Sequence, residues 1–273
     1  MEQELLKKVR LTQLEIAKEI RRVCEENDIS YFLAHGTFLG AIRHGGFIPW
    51  DDDMDMGMLR RDYEKFCRIA PKKLKPEYCL QTWYTESNYA LPFGKVMKRN
   101  TVYLENKKTR RLQNNGIYVD IFPHDYALED RSAQNQQTAS LLSIYRMKLM
   151  KSGYKPWMEN DRIVWKKRIG YLYYQLKSLF VSQQNLARDY DTLAVSVQDS
   201  SVICERNGRT KLDCYDRRCV EELADYSFEG EIFKGPKDFD QYLSTLYGDY
   251  MELPPEDQRE NRHQIIEIDF GEE

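Results

Sequence analysis

The sequence lacks any long apolar segment. No apolar run approaches the ~20 residues that a membrane-spanning helix needs. The N-terminal residues are charged and amphipathic, without the apolar centre of a secretory signal, and no Asn-x-Ser/Thr sequon occurs. These absences predict a cytoplasmic protein, and they leave open a peripheral contact with the inner face of the membrane.

Basic residues are not in excess either. Lysine and arginine number 41 against 44 for aspartate and glutamate, which gives a net charge of -3. Because a nucleic-acid-binding domain normally carries a marked basic excess, we expect no nucleic-acid partner. Hydrophobic residues make up 41% of the 273-residue chain, which is enough for a folded core and excludes a disordered protein.

Closely spaced cysteine pairs are missing as well. Disulfides are rare in the cytosol, so we expect free thiols. The last three cysteines and the distant His263 have the chemistry of zinc ligands, but their spacing matches no common zinc site. The six cysteines are Cys24, Cys67, Cys79, Cys204, Cys214 and Cys219.

What the sequence does contain is a cluster of acids. Four aspartates fall within five positions, at Asp51, Asp52, Asp53 and Asp55, and methionines alternate through positions 54–58. This period of two predicts a strand that carries Asp51, Asp53 and Asp55 on one face and buried methionines on the other.

Such closely spaced carboxylates repel one another and raise each other's pKa unless a cation neutralises them. Oxygen ligands without a histidine–cysteine cluster suit Mg²⁺ or Mn²⁺. A solvated acidic turn is the alternative, but it does not explain the methionines behind the acids. We therefore predict a metal site.

A potential phosphate-binding turn precedes the acids. Residues 31–34 form a short apolar pattern typical of a strand, and Gly36 and Thr37 then open a helical pattern over residues 38–43. A glycine at such a turn lets backbone N–H groups approach a phosphate, and the N-terminus of the helix adds a favourable dipole.

The Gly-Thr turn, the helix and the Asp-x-Asp strand together resemble the active site of the nucleotidyltransferase superfamily. The full string at 36–55, Gly-Thr-Phe-Leu-Gly-Ala-Ile-Arg-His-x-Gly-Phe-Ile-Pro-Trp-Asp-Asp-Asp-x-Asp, resembles the LicD family in particular. That family contains phosphocholine transferases and is similar to the fukutin-related ribitol-phosphate transferases. A second block at 247–255, Tyr-Gly-Asp-Tyr-Met followed by Pro-Pro, also resembles the family. The resemblance covers residues 1–125 and 228–263.

A third acid is predicted at Asp120. It interrupts an apolar strand pattern over 116–125, and a buried acid needs a partner or a metal. The resemblance implies the same residue, because the family has an Ile-Asp-Ile-Phe-Pro string at this place. We expect Asp125 to cap or structure the next turn, and we assign no catalytic role to His124.

The resemblance also implies roles for the remaining site residues. Asp53, Asp55 and Asp120 would be catalytic and would bind the metals, with Asp51 as a further ligand. Donor phosphates would be bound by Gly36, Thr37, Arg43 and Lys95. For Lys95, in a strand-like segment at 92–98, a solvated surface position explains the sequence equally well.

Tryptophans are the candidates for recognising the head group of the donor. A quaternary ammonium donates no hydrogen bonds, so aromatic faces usually bind it. Trp50 is next to the acids and is expected to support the metal loop. Trp157 and Trp165 lie in a basic, aromatic stretch at 146–178 and are expected to discriminate choline. That stretch also suggests a face for an anionic membrane or acceptor, with a helix of solvated lysines as the alternative.

The fold predicted from these patterns is α+β with flanking helices and a helical insertion, and the resemblance implies a mixed sheet of the nucleotidyltransferase type. We expect a catalytic core at 1–130, a mostly helical basic and aromatic insertion at 131–227, and a C-terminal helix and tail at 228–273 that pack back on the core.

The leading functional hypothesis is a Mg²⁺-dependent transferase. It would move the phospho-alcohol of a CDP-alcohol, CDP-choline first, to a hydroxyl of a glycan or lipid-linked glycan, such as a teichoic-acid-like or lipopolysaccharide precursor, and release CMP. One alternative is nucleotidyl transfer from an NTP to a small hydroxyl compound. The other is a catalytically inactive binding protein, against which the intact acids argue.

Overall fold

The computed structural model describes residues 3–105, 114–159, 162–210, 212–260 and 265–271; His263 lies outside these ranges. The helices within them are α1 (Gln3–Glu25), α2 (His35–His44), α3 (Arg60–Lys73), α4 (Arg131–Lys151), α5 (Trp165–Ser178), α6 (Gln183–Ala194), α7 (Arg218–Glu221) and α8 (Phe239–Tyr247). The strands are β1 (Phe32–Leu33), β2 (Asp55–Leu59), β3 (Tyr78–Gln81), β4 (Gly94–Lys98), β5 (Val102–Glu105), β6 (Tyr118–Tyr126), β7 (Met158–Glu159), β8 (Arg162–Ile163), β9 (Val202–Glu205), β10 (Cys214–Asp216), β11 (Leu223–Phe228), β12 (Glu231–Pro236) and β13 (Ile265–Asp269).

The main sheet is mixed. Its strands follow the order β1-β2-β6-β4-β3, and β9 pairs with the end of β6 and then with β10. Strands β2 and β6 run parallel, whereas the other pairs in this sheet are antiparallel. Helices pack against the sheet, so the predicted α+β class with flanking helices is confirmed.

The register of three neighbouring strands brings charged residues into one row. Asp55 on β2 lies opposite Asp120 on β6, and Lys95 on β4 lies opposite Asp120 on the other side. Directly opposed residues of neighbouring strands point to the same face of a sheet. The three side chains therefore share one face.

The acidic strand begins later than predicted. Strand β2 starts at Asp55, and residues 51–54 are irregular. The reason is that α1 binds their carbonyl groups: Arg10 Nε donates to Asp51 O at 3.0 Å, and Gln13 Nε2 donates to Asp52 O at 2.9 Å. The apolar side of the prediction is confirmed, because three alternating methionines are fully buried: Met54, Met56 and Met58.

The amphipathic N-terminal residues form helix α1, whose buried face includes Ile16 and Ile20. Helix α3 contains Pro71 near its end and finishes at Lys73. A proline this close to the end removes one N–H donor without interrupting a long helix. In the described part of the chain, no helix is both long enough and apolar enough to cross a membrane.

The segment at 131–227 contains both helices and strands. Helices α4, α5 and α6 come first, and α4 packs against the other two. Strands β9 and β10 then join the main sheet, and β11 forms a hairpin with β12. The division of the chain into three domains stays a prediction.

Asp125 has a different structural role from the one expected. Its two carboxylate oxygens accept hydrogen bonds from Arg60 Nε at 2.6 Å and Arg60 Nη2 at 2.8 Å. Arg206 Nε lies 3.4 Å from the same carboxylate, and all three side chains are largely buried. Asp125 thus joins β6 to the start of α3 and does not cap a turn.

Two cysteines form a disulfide, so the expectation of free thiols is wrong for them. Antiparallel pairing of β9 with β10 places Cys204 opposite Cys214, with their Cα atoms 4.1 Å apart, and their sulfur atoms are bonded. The spacing along the chain gave no indication, because the pair depends on the strand register. The expectation holds for the other four, which are free: Cys24, Cys67, Cys79 and Cys219.

Candidate active site

A cleft of about 750 Å³ opens over the acids. Described residues from α2, the loop before β2, β6, β9 and the segment at 246–260 line it. Three of the four clustered aspartates, Asp51, Asp53 and Asp55, are among them, with Phe122 of β6 beside them. Gly36, Arg43 and Trp50 line the cleft too, so most of the site residues predicted on α2 and in the acidic loop converge on one cavity. Thr37, Lys95 and Asp120 are not among its described lining residues.

The first turn of α2 holds the acids in place. The backbone N–H of Asp55 donates to Thr37 Oγ1 at 2.8 Å, so the buried Thr37 hydroxyl ties β2 to α2. Gly36 lines the cleft next to Asp51, and a Cβ atom on Gly36 would lie 2.8 Å from Asp51 Oδ2. The N–H groups of this first turn have no acceptor within the helix, as at any helix N-terminus.

The carboxylates strongly affect one another's ionisation. Burial, followed by the charges of Asp53 and Asp120, raises the pKa of Asp55 well above its ordinary value. Burial also raises the pKa of Asp120 to about 6, although the Lys95 ammonium opposes this shift. Without a cation, the fold therefore favours protonation of these acids.

The donor set fits a hard divalent cation. Carboxylate oxygens of Asp51, Asp52 and Asp53 lie within 4.8 Å of one another, and Asp55 and Asp120 are their charged neighbours on the sheet. Asp52 differs from the others because it is buried and its Oδ2 accepts a hydrogen bond from the Tyr103 hydroxyl at 2.7 Å. Oxygen ligands of this kind suit Mg²⁺ or Mn²⁺.

Lys95 is buried beside Asp120, so the solvated alternative for this residue is wrong. Its Nζ lies 3.0 Å from Asp120 Oδ1 and 3.1 Å from the centre of the Tyr118 ring. The ammonium thus lies within reach of any group bound at the Asp120 carboxylate.

Arg43 lines the cleft and also binds the C-terminal segment at the edge of the cleft. Its Nη1 donates to the carbonyl oxygens of Tyr250 at 2.8 Å and Glu252 at 3.3 Å. Burial lowers the pKa of Arg43, and the guanidinium remains charged at neutral pH. This contact fixes the C-terminal segment at 246–260, whose Tyr247 and Asp249 also line the cleft.

The three candidate tryptophans lie in different places. Trp50 lines the cleft, and the Arg259 guanidinium lies over its ring at 5.7 Å. Trp157 stacks with Arg168 at 4.4 Å, and Trp165 is 68% exposed on α5. Among the described lining residues of the cleft, neither Trp157 nor Trp165 appears, so the geometry gives no support to their role as head-group contacts.

Sequence reasoning missed a charged pair in the cleft wall. His35 Nε2 bonds to Glu205 Oε2, and Glu205 Oε1 accepts a hydrogen bond from Asn207 at 2.7 Å. Burial lowers the pKa of His35, but the Glu205 charge outweighs this effect and raises it overall. His124 Nε2 lies 3.7 Å from the same carboxylate. No sequence signal identifies Glu205, which reaches His35 through strand β9.

Taken together, a mixed sheet carries paired acids on two adjacent parallel strands, and the acids of β2 and its preceding loop open onto a cleft at the N-terminus of a helix. This arrangement defines an enzyme of the nucleotidyltransferase type. Residues 28–156 match the family described as LicD/FKTN/FKRP, nucleotidyltransferase domain. Residues 28–156 therefore form a nucleotidyltransferase domain of the LicD type.

Two similar proteins support this assignment. The lipopolysaccharide cholinephosphotransferase LicD of Haemophilus influenzae is 28% identical over 268 residues, which cover 96% of this chain and 97% of that protein. The ribitol 5-phosphate transferase FKRP of Mus musculus is 44% identical over 109 residues, 40% of this chain and 19% of that protein. The protein is a phosphotransferase.

We expect Asp55→Asn to stabilise the metal-free protein, because it removes one charge from a repelling cluster. At pH 7 in EDTA the free energy of unfolding should rise by about 1 kcal/mol or more, because the raised pKa of Asp55 shows that the fold disfavours its charge. Urea denaturation measures this change. Asp189→Asn, on the exposed face of α6, is the matched control and should have no effect; a fall in stability for Asp55→Asn would contradict the predicted repulsion.

The metal-free protein should also lose stability as the pH rises from about 4 to about 6. The folded-state pKa of Asp120 is about 6 and its ordinary value is 3.8, so the folded protein keeps a proton that the unfolded chain has lost. Stability therefore falls with pH across this window. Melting temperatures with EDTA and with excess Mg²⁺ test this, because bound cation should flatten the slope. If the melting temperature changed equally with pH in EDTA and in Mg²⁺, the cation would bind elsewhere.

Proposed function

We propose that the protein transfers phosphocholine from CDP-choline to a hydroxyl of a cell-surface glycan or lipid-linked glycan precursor and releases CMP, in a Mg²⁺-dependent reaction. The observation that carries this proposal is the pairing of Asp55, which lines the cleft, with Asp120 on the neighbouring strand β6. Similarity to a cholinephosphotransferase over nearly its whole length supports choline as the first choice of head group.

The acids would form the metal site. Asp53, Asp55 and Asp120 would bind Mg²⁺ or Mn²⁺, with Asp51 as a further ligand at the cleft wall. A bound cation would neutralise the carboxylates and stabilise negative charge on the phosphate oxygens of the donor. The raised pKa of Asp55 supports this role, because it reports carboxylates that lack sufficient compensating positive charge.

Asp120 would also accept the proton of the acceptor hydroxyl. The hydroxyl oxygen bonds to the distal phosphorus of the donor as the bond from that phosphorus to the CMP oxygen breaks, so that CMP leaves with the electron pair. A cation bound at the acids would favour the ionised form of Asp120 at neutral pH, which is the form that can accept a proton. The Lys95 ammonium at 3.0 Å helps to keep it ionised.

The donor phosphates would lie between α2 and Lys95. Backbone N–H groups of Gly36 and Thr37 begin α2 beside Asp51 and suit an anionic oxygen. Arg43 has further N–H donors that do not bind the carbonyl oxygens of Tyr250 and Glu252, and they would offset the negative charge on the departing CMP. Lys95 would bind the phosphate oxygen closest to Asp120.

The decisive measurement is product analysis. Incubation with CDP-choline, Mg²⁺ and a glycan acceptor should release CMP, and EDTA should stop the reaction. Asp53→Asn and Asp120→Asn should each lower the rate by at least about a hundredfold, since each removes charge stabilisation or proton transfer. Asp189→Asn, far from the acids in sequence and exposed, should retain the wild-type rate.

Other outcomes have distinct meanings. Pyrophosphate release from an NTP, without CMP release from any CDP-alcohol, would replace the proposal by nucleotidyl transfer. Absence of both activities, with no stabilisation by Mg²⁺ or nucleotide, would indicate a binding protein without catalysis.

We also propose that helix α5 docks on an anionic membrane surface, which would bring the site to a lipid-linked acceptor. One side of α5 faces α4, where Arg146 Nη1 donates to the Tyr174 hydroxyl at 3.0 Å. The other side exposes an apolar stripe with spacings of four, three, four and three residues: Trp165 (68%), Ile169 (67%), Leu172 (46%), Leu176 (54%) and Leu179 (65%).

The positive charges beside this stripe favour an anionic membrane as its binding partner. Exposed lysines, among them Lys166 and Lys177, flank it, and Phe180 just beyond the helix is 89% exposed. A basic helix with an unpartnered apolar stripe is typical of segments that lie in the plane of a bilayer interface. Such a large exposed apolar surface is uncommon without a partner.

Vesicle co-sedimentation tests the docking surface. The protein should bind vesicles of phosphatidylcholine mixed with phosphatidylglycerol, more weakly at high salt because screening reduces attraction to anionic lipid. The double variant Ile169→Glu/Leu176→Glu should bind at least about tenfold more weakly. Leu11→Glu is the matched control, since Leu11 is 53% exposed on α1. If the wild-type protein does not bind these vesicles at low salt, the proposal is wrong. If the protein dimerises with increasing concentration instead, the stripe contacts a second copy of this chain.

A further inference from the structure

A second, smaller cavity lies on the same side of the sheet as the acids. It measures about 150 Å³. The part of its lining that the structure describes contains four tyrosines, Tyr89, Tyr103, Tyr118 and Tyr154, all largely buried. We call it the tyrosine pocket. No residue assigned above to the donor phosphates or metals lines it, except Lys95.

Strand β6 places this pocket directly beside the reaction centre. Tyr118, Asp120 and Phe122 alternate along β6 and therefore point to one face. Phe122 lines the large cleft and Tyr118 lines the tyrosine pocket. Asp120 thus lies between the two cavities, and Lys95 connects it to the pocket through the 3.0 Å ion pair.

The pocket holds its aromatic rings rigidly. Tyr103 and Tyr118 pack edge to face, with ring centres 5.8 Å apart and an angle of 80° between the planes. The Tyr103 hydroxyl donates to Asp52 at 2.7 Å, and the Tyr118 hydroxyl donates to Glu105. Rings fixed in this way can bind a cation without first losing side-chain freedom.

The charges around the pocket favour a positive ligand. The Lys95 ammonium covers one face of the Tyr118 ring, 3.1 Å from its centre, so a ligand cation would contact the other tyrosine rings and the uncovered part of Tyr118. Lys95 is neutralised by Asp120. Apart from Lys95, the charged residue in the described lining is Glu105, whose carboxylate adds a negative charge.

Two buried oxygen atoms in the lining lack hydrogen-bond partners among the described residues. They are the hydroxyl of Tyr89 and Oε1 of Gln81, and both side chains are 1% exposed. Buried polar atoms are normally satisfied. Polarised methyl groups of a quaternary ammonium make weak C–H···O contacts with such oxygens, so these atoms are compatible with a ligand that offers no N–H or O–H donor.

The volume fits a compact head group. An apolar cavity of about 150 Å³ holds a molecule the size of benzene, which has about six heavy atoms. A trimethylammonium group with two methylenes has the same number of heavy atoms. A five-carbon polyol is considerably larger.

From these observations we infer that the tyrosine pocket binds the ammonium head group of the donor alcohol, with choline as its ligand. This inference rests on the proposed function, because only a phospho-alcohol donor reacting at Asp120 would place its head group there. It assigns head-group recognition to residues of the sheet, in place of Trp157 and Trp165.

The first test measures binding without turnover. Saturation-transfer NMR should detect choline bound to the wild-type protein, and 3,3-dimethylbutan-1-ol, its uncharged isostere, should bind about tenfold more weakly, because only choline gains cation–π attraction. Equal binding of the two compounds would overturn the inference.

Variants then connect binding to the pocket. Tyr118→Leu and Glu105→Gln should each weaken choline binding by about fivefold or more, since one removes a ring face and the other a charge. Tyr118→Phe keeps the ring and should recover most of the binding that Tyr118→Leu loses. Glu77→Gln changes an exposed glutamate elsewhere and should bind choline like wild type. Glu105→Gln preserves the side-chain shape and tests the idea even if Tyr118→Leu fails to fold.

Turnover separates this inference from the proposed function. In the CMP-release assay, Glu105→Gln should raise KM for CDP-choline and leave KM for CDP-glycerol unchanged. If CDP-choline is a substrate but neither variant alters choline binding, the pocket assignment is wrong and the proposed function stands. If no CDP-alcohol is turned over while choline binds in this pocket, the proposed function fails and the site remains an ammonium-binding site.

Discussion

Parallel pairing of β2 with β6 is the constraint on which the site depends. It sets Asp55 opposite Asp120 on one face of the sheet, where burial and the charges of Asp53 and Asp120 raise the pKa of Asp55. A strand register cannot relax locally to separate two residues, because a shift of one position would turn every side chain to the opposite face. The repulsion is therefore built into the sheet, and a divalent cation is the ligand that best relieves it.

Neighbouring elements keep this unfavourable arrangement in place. Arg10 of α1 binds the carbonyl oxygen of Asp51, and Thr37 of α2 binds the N–H of Asp55. At the other end of β6, Arg60 forms a buried bidentate pair with Asp125, and breaking such a pair typically costs about 3–5 kcal/mol. These contacts use backbone groups or distant side chains, so they leave the carboxylates of the cleft available for ligands.

Local patterns in the sequence predicted the acids, the turn before α2 and most core strands, since each depends on residues close together in the chain. Contacts between distant segments were not predictable in this way. The pairs His35–Glu205 and Cys204–Cys214 both depend on where β9 lies in the sheet. The predicted aromatic head-group contact of Trp165 finds no support in the geometry for the same reason. Composition favoured this residue, which is exposed, whereas the register of β6 places a tyrosine beside Asp120.

If the tyrosine pocket binds the head group as inferred, the alternation along β6 would separate head-group recognition from catalysis while keeping them adjacent. Tyr118, Asp120 and Phe122 face the ligand cavities, whereas Val119 and Ile121 are fully buried on the opposite face. A change at position 118 can reshape the small pocket without altering the backbone that carries Asp120. A change at 119 or 121 acts on the core and disturbs the register that both functions share. One scaffold of this kind can therefore serve different phospho-alcohols through changes in the pocket wall, while the acids stay where the paired strands hold them.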